Sequence, residues 1–153
     1  MAEKVKYPSI TEYMTTHLIT VSPQTDIKDA IYVLLDNKIS GAPVVNGTGD
    51  MVGILSEKDC LRLFINQDYH GTPGGLGVVE DFMTKDVKTL STSQTVVDAA
   101  YAFINSNFRR FPVLDNGKLV GQVSRRDVLG AVKDITILQG KVVPSSWVGR
   151  EPS

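Results

Sequence analysis

The first half of this chain is written again in its second half. Met14, Thr15, Thr20, Ser22, Asp29, Ala30, Tyr32, Pro43 and Val44 recur 69 positions later as Met83, Thr84, Thr89, Ser91, Asp98, Ala99, Tyr101, Pro112 and Val113. After one residue is lost in a turn, Gly49, Val52, Gly53, Ser56, Asp59 and Leu61 recur at a spacing of 68 as Gly117, Val120, Gly121, Ser124, Asp127 and Leu129. Duplication constrains the architecture more than any single motif, because two copies of one small unit tend to complete each other. One copy, at roughly 60 residues, would be marginal alone, whereas the full 153 residues can bury roughly 70% of their unfolded surface.

Each copy reads in the same order. A short apolar extended segment, Leu18–Val21 or Val87–Leu90, precedes an amphipathic helix. Ile27, Ala30, Ile31, Leu34 and Leu35 share one helical face, and Val96, Ala99, Ala100, Phe103 and Ile104 share its counterpart. Asp26 with Asp29, and Thr95 with Asp98, have the spacing of an N-cap and its N3 partner. Pro43-Val44-Val45, a turn at 46–50 and Met51–Leu55 then read as a β-hairpin, as do Pro112-Val113-Leu114, a turn at 115–118 and Leu119–Val123. A second helix is predicted over Glu57–Asn66 and over Arg125–Leu138, and short helices over Ser9–Met14 and Val78–Met83 introduce the copies.

The predicted fold is therefore α+β, two β-α-β-β-α repeats packed sheet to sheet with pseudo-two-fold symmetry. The organisation is a first repeat over 9–68, a Gly/Pro-rich linker over 69–77, a second repeat over 78–139 and an irregular tail over 140–153, with Trp147 docking on a neighbouring surface.

A net charge of −1 gives no electrostatic reason to expect nucleic acid or an anionic membrane as partner. No apolar run approaches membrane-spanning length and no leader is evident, so the expectation is a cytoplasmic protein. A single cysteine, Cys60, allows no internal disulfide and reads as a packed thiol beside Leu61 and Phe64. His17 and His70 lack partners at metal spacing, so no metal site is expected. Gly71–Gly77 lacks the Gly-Lys-Ser/Thr ending of a phosphate-binding loop. Ser56 and Ser124 have no histidine to activate them, and no constellation of base, nucleophile and oxyanion donors points to an enzyme.

Ser56-Glu57-Lys58-Asp59 and Ser124-Arg125-Arg126-Asp127 stand at the two second-helix starts. Ser-x-x-Asp there is a capping box by spacing. An ionised carboxylate at the same place can also accept two charge-assisted hydrogen bonds from vicinal hydroxyls. Both roles stand at this level.

The whole arrangement resembles the tandem CBS-domain pair, or Bateman module. The likeness is carried by Ser40–Val45 with Val52–Asp59, and by Phe108–Val113 with Leu119–Asp127, and it covers Ser9 to Leu138. It implies a non-catalytic, stand-alone bacterial-type sensor whose ligand is an adenosine compound: AMP, ADP or ATP, with S-adenosylmethionine or NADH second. It further implies a flat homodimer and an unidentified protein target. The rival reading is a ligand-free dimerisation or docking module.

The resemblance also implies two pockets in the cleft between the repeats. Pocket A would join Ser56 and Asp59 to Val87, Lys88, Phe108, Arg109 and Arg110. Pocket B would join Ser124, Arg126 and Asp127 to Leu18, Ile19, Thr20, Ile39, Ser40 and Gly41. In this scheme the aspartates take ribose, backbone at Ile19 or Lys88 reads the adenine edge, and Ile39 or Phe108 lies against the base. The double charge at Arg109-Arg110 suits phosphate, with Arg109 the favoured contact.

Overall fold

The chain was analysed as a computed structural model, which describes residues 7–65 and 76–135 and the backbone of 137–138 and 141–142. It forms two compact units that cut across the copies of the repeat. One comprises Ile19–Lys88 with Asn116–Leu119; the other comprises Met1–Leu18, Thr89–Asp115 and Val120–Ser153. We call them the first-copy and second-copy units after the helices that dominate each.

In the first-copy unit, helix α1 (Ile27–Asp36) is followed by strands β1 (Gly41–Val45) and β2 (Met51–Ser56) and a short helix α2 (Glu57–Cys60). Asp26 starts α1 by accepting the Lys28 N–H at 2.9 Å, and Asp29 makes no reciprocal bond among the described residues. Lys38, at φ +54°, turns the chain out of the helix in the left-handed region. Strands β1 and β2 pair antiparallel, Ala42 opposite Leu55 and Val44 opposite Gly53, with a bulge at Val45. The expected leading strand shrinks to one parallel bridge between Val21 and Val44. The predicted helix Glu57–Asn66 is also shorter: α2 gives way to a 3-10 turn over Leu61–Phe64, and Asn66 lies outside the described residues.

The second-copy unit repeats the plan. Strand β3 (Leu90–Ser91), helix α4 (Val96–Ile104), strands β4 (Arg110–Asp115) and β5 (Lys118–Ser124) and helix α5 (Arg125–Asp134) form a three-stranded sheet, order β3-β4-β5, with two helices. Thr95 and Asp98 make the full capping box expected of them. Asn116 and Gly117 both have positive φ, as a two-residue Asn-Gly hairpin turn requires. Helix α5 stops at Asp134 and not at Leu138, because Ile137–Leu138 (β6) pair antiparallel with Lys141–Val142 (β7). Thus Lys141 and Val142, expected in an irregular tail, belong to a strand. The linker up to Gly75 and Trp147 lie outside the described residues.

The short helices form where expected, but each packs in the unit dominated by the other copy's helices. Helix α3 (Val79–Phe82), read from sequence as the opening of the second copy, packs in the first-copy unit. Its Val79 and Phe82 are buried beside Val21, Ile27, Leu34 and Leu55. The 3-10 turn Ile10–Glu12 does the reverse, burying Ile10 among Leu90, Val96, Phe111 and Val123. The hydrogen bonds match one for one. Ile27 N–H bonds to Gly77 O and Val79 N–H to Thr25 O, at 3.0 and 2.9 Å. Val96 N–H bonds to Pro8 O and Ile10 N–H to Gln94 O, at 3.0 and 3.1 Å.

Just beyond each short helix, a pair of backbone bonds ties the chain to the second hairpin strand: Ile54 with Thr84, and Gln122 with Thr15, all at 2.8–2.9 Å. Such close approach needs a glycine beside it. A Cβ on Gly53 would stand 2.8 Å from both Met83 Sδ and Thr84 O, and one on Gly121 would stand 2.5 Å from Met14 Sδ.

The first-copy unit also takes in the turn at 116–119. Lys118 Nζ reaches Asp50 Oδ1 at 2.8 Å and donates to Thr48 O at 2.6 Å, and Met51 N–H bonds to Gly117 O. The Lys118 ammonium and the Thr48 hydroxyl hold the Asp50 carboxyl below its ordinary pKa.

The glycine contacts predict an order of stability. At Gly53 the obstacle includes backbone, whereas at Gly121 it is a flexible methionine. Gly53→Ala is therefore expected to cost about 2–3 kcal/mol and Gly121→Ala about 1 kcal/mol, measured by urea unfolding.

Candidate functional site

Both Ser-x-x-Asp motifs form complete capping boxes. Ser56 Oγ accepts the Asp59 N–H at 3.0 Å while Asp59 Oδ2 accepts the Ser56 N–H at 3.0 Å. Ser124 and Asp127 repeat this at 3.0 and 2.8 Å. The local fold explains the arrangement: each serine ends a hairpin strand in extended conformation, and its hydroxyl satisfies an N–H that the helix cannot. The box uses one oxygen of each carboxylate, leaving the other available.

What becomes of that second oxygen differs between the units. Asp59 is only 4% exposed, the one charged residue among the described residues that are buried. The Thr84 hydroxyl donates to it over 3.3–3.4 Å, and Arg62 approaches Oδ1 at 3.8 Å. Asp127 is half-buried and, among the described residues, receives nothing beyond its box. Thr15, the repeat of Thr84, makes the same backbone bridge but gives Asp127 no hydroxyl.

The strand edge beside each helix start is fixed by a backbone bond: Glu57 N–H to Ser40 O at 2.8 Å, and Arg125 N–H to Arg109 O at 3.0 Å. Arg125 Nε adds a bond to Phe108 O at 3.1 Å. Within the first-copy unit, Ser40 and Gly41 therefore meet Ser56 and Asp59. Within the second-copy unit, Phe108 and Arg109 meet Arg125, the residue after Ser124. The resemblance groups each edge with the aspartate of the opposite copy, a pairing that these bonds within each unit neither make nor break. Ile19, Thr20, Val87 and Lys88 belong to the first-copy unit, and Leu18 ends the first segment of the other. Ile39 packs against the first-copy core, while its counterpart Phe108 is exposed, set edge-on to Phe111 with ring centres 5.6 Å apart. Thr84 and Arg62 were not singled out from sequence as site residues. The recurrence of Thr15 as Thr84 was visible there, but its reach to a carboxylate was not.

Cys60 is half-buried against the first-copy core, whereas Leu61 and Phe64 are exposed. Burial, reinforced by the Asp59 and Glu57 carboxylates, pushes its thiol up from 9.0 to about 11. Among the described residues no group of three or more His, Cys, Asp or Glu side chains could hold a metal, and no helix is long and apolar enough to cross a membrane.

A duplicated strand–helix–hairpin–helix plan, with a capped aspartate at the second helix start of each copy, defines a class of paired small domains. The chain belongs to the CBS-domain family, whose description matches residues 10–66 and again 79–134. It is 28% identical over 120 residues to the uncharacterized protein MJ1225 of Methanocaldococcus jannaschii, spanning 78% of this chain and 41% of that one. It is 31% identical over 131 residues to a 17.7 kDa protein of Acidianus ambivalens, covering 85% and 76%. The chloroplastic CBS domain-containing protein CBSX2 of Arabidopsis thaliana is 30% identical over 155 residues, covering 83% and 64%. The crystal structure of CBSX2 in complex with AMP superposes with a TM-score of 0.71 at 33% identity, covering 81% of this chain and 95% of that one. The chain thus spans less than half of one of these relatives and most of the others.

A raised thiol pKa stabilises the neutral form in the folded state. That stability is fully present below pH 9.0 and is lost as pH rises toward 11. Alkylation of Cys60 in the native protein is accordingly expected to be slow at pH 8 and to rise with an apparent pKa near 11, falling to about 9 after denaturation.

Proposed function

We propose that this chain is a non-catalytic regulatory module that binds an adenine nucleotide of the AMP, ADP or ATP class at a capped helix-start aspartate. The observation that carries the reading is the half-used carboxylate of Asp127. Its box already fixes the side chain, so the free oxygen is preorganised to accept hydroxyl donors. Ribose presents such donors, and charge assistance makes the bonds strong. The AMP in the CBSX2 structure supports an adenosine ligand on this fold. The described residues offer no nucleophile, base and oxyanion donor in one place, so the reading is of a sensor. Cytoplasmic residence is part of the same proposal.

A specific observation favours self-association as well. Apart from Tyr7, Ile65 and Phe108, the large apolar residues left exposed fall at equivalent positions of the repeat: Tyr32 and Tyr101, Leu35 and Ile104, Leu61 and Leu129, Phe64 and Val132. Leu35 and Ile104, placed by sequence on the apolar helical face, are 63% and 77% exposed. In the second-copy unit this face borders a groove of about 410 Å³ lined by Val97, Tyr101, Ile104, Val132 and Ile135. Apolar surface left in register on both units suits a second copy of the same chain, which supplies the same pattern.

Thermal melts with AMP, ADP and ATP test the ligand. At about 100 times its dissociation constant, the preferred nucleotide is expected to add roughly 2.7 kcal/mol of stability. A flat melting temperature across the panel would leave only the ligand-free module. Sedimentation equilibrium tests the assembly: wild type is expected to be dimeric at micromolar concentration, and Ile104→Asp to shift it toward monomer. A monomeric wild type would overturn the dimer.

A further inference from the structure

The two halves of this chain are copies in sequence but not in electrostatics. At the first helix start, the capping aspartate is buried and the neighbouring positions are Ile39, Ser40, Gly41, Glu57 and Lys58. The only formal charges added there beside Asp59 and Arg62 cancel. At the second, the equivalent positions are Phe108, Arg109, Arg110, Arg125 and Arg126, all exposed. Four arginines stand on the strand edge and helix start that the bonds from Arg125 to Phe108 O and Arg109 O hold together. Among the described residues none of the four has an ion-pair partner within reach. Four like charges with only the Asp127 carboxylate beside them leave a net positive edge, so an anion arriving there relieves repulsion as well as gaining its own bonds.

We infer that the two sites are inequivalent: the second-copy edge alone seats the nucleotide, in an anionic, phosphate-bearing form, and the first-copy aspartate is a sealed structural group. This rests on the nucleotide reading above and adds the seat, the stoichiometry and the charge of the ligand. Asp127 keeps a free oxygen for the ribose hydroxyls, exposed Phe108 offers an aromatic face for the base, and the arginines suit the phosphate oxygens. Asp59 has no such freedom, since Ser56, Thr84 and Arg62 surround a carboxylate cut off from solvent. A cationic adenosine compound such as S-adenosylmethionine meets the wrong sign of charge at the open edge.

Calorimetric titration of the full chain with ATP, AMP, adenosine and S-adenosylmethionine tests this. The expected result is one nucleotide per chain, with ATP and AMP binding more tightly than adenosine or S-adenosylmethionine. Asp127→Asn is expected to weaken AMP about tenfold or more, and Asp59→Asn or Thr84→Val to leave it within about twofold. Replacing Arg109 and Arg126 by Gln is expected to weaken ATP and spare adenosine. Circular dichroism melts identify folded variants, and the wild-type stoichiometry stands independently of any variant. Two nucleotides per chain, or equal losses from Asp59→Asn and Asp127→Asn, would overturn the inequivalence and leave nucleotide binding intact. Tighter S-adenosylmethionine than ATP would overturn the anionic assignment. No binding of any of the four to wild type overturns the nucleotide reading itself, and the seat with it.

Discussion

Every feature of this fold depends on the exchange of short helical segments between copies. Neither compact unit is made from one repeat alone: Ile10 completes the core around Phe111, and Phe82 completes the core around Leu55. Both side chains are fully buried, so each unit lacks a plug of its own and takes one from the other copy's leading segment. A roughly 60-residue repeat buries too little apolar surface to be self-sufficient, which gives the exchange a thermodynamic basis. The paired backbone bonds at Thr15 and Thr84 then fix the chain as it leaves each plug, and they are possible because Gly53 and Gly121 let it come close.

That constraint also shapes the chemistry. Thr84 lies two residues beyond helix α3, so the segment that fills the first-copy core carries a hydroxyl to Asp59. Thr15 occupies the matching place after Ile10 and leaves Asp127 untouched. Small differences in side-chain direction on one conserved backbone plan thereby turn one aspartate inward and leave its twin available. A capping role and a ligand role are compatible on one carboxylate, because the box engages a single oxygen of each.

Much of this was legible from local pattern. The hairpins, the α1 and α4 helices and the Ser-x-x-Asp caps follow from period, turn chemistry and spacing, and these are set by neighbouring residues. The errors fall where local pattern is silent. Helix periodicity continues through Leu61–Ile65 and beyond Asp134, yet the first segment tightens to a 3-10 turn and the second yields to the β6–β7 pairing. Leu35 and Ile104 sit on the apolar stripe but find no covering element among the described residues. The backbone bonds that tie Ser40 and Arg109 each to its own helix start leave no mark in the spacing.

By itself the sequence determined that there are two copies, what each is made of, and which residues could cap, bond or carry charge, because those properties belong to residues and their near neighbours. Tertiary structure decided which copy's core receives each short helix and which aspartate is sealed. It also decided which apolar side chains remain uncovered. These depend on partners far apart in the chain, where the choice between two nearly identical copies is made by packing and hydrogen-bond geometry.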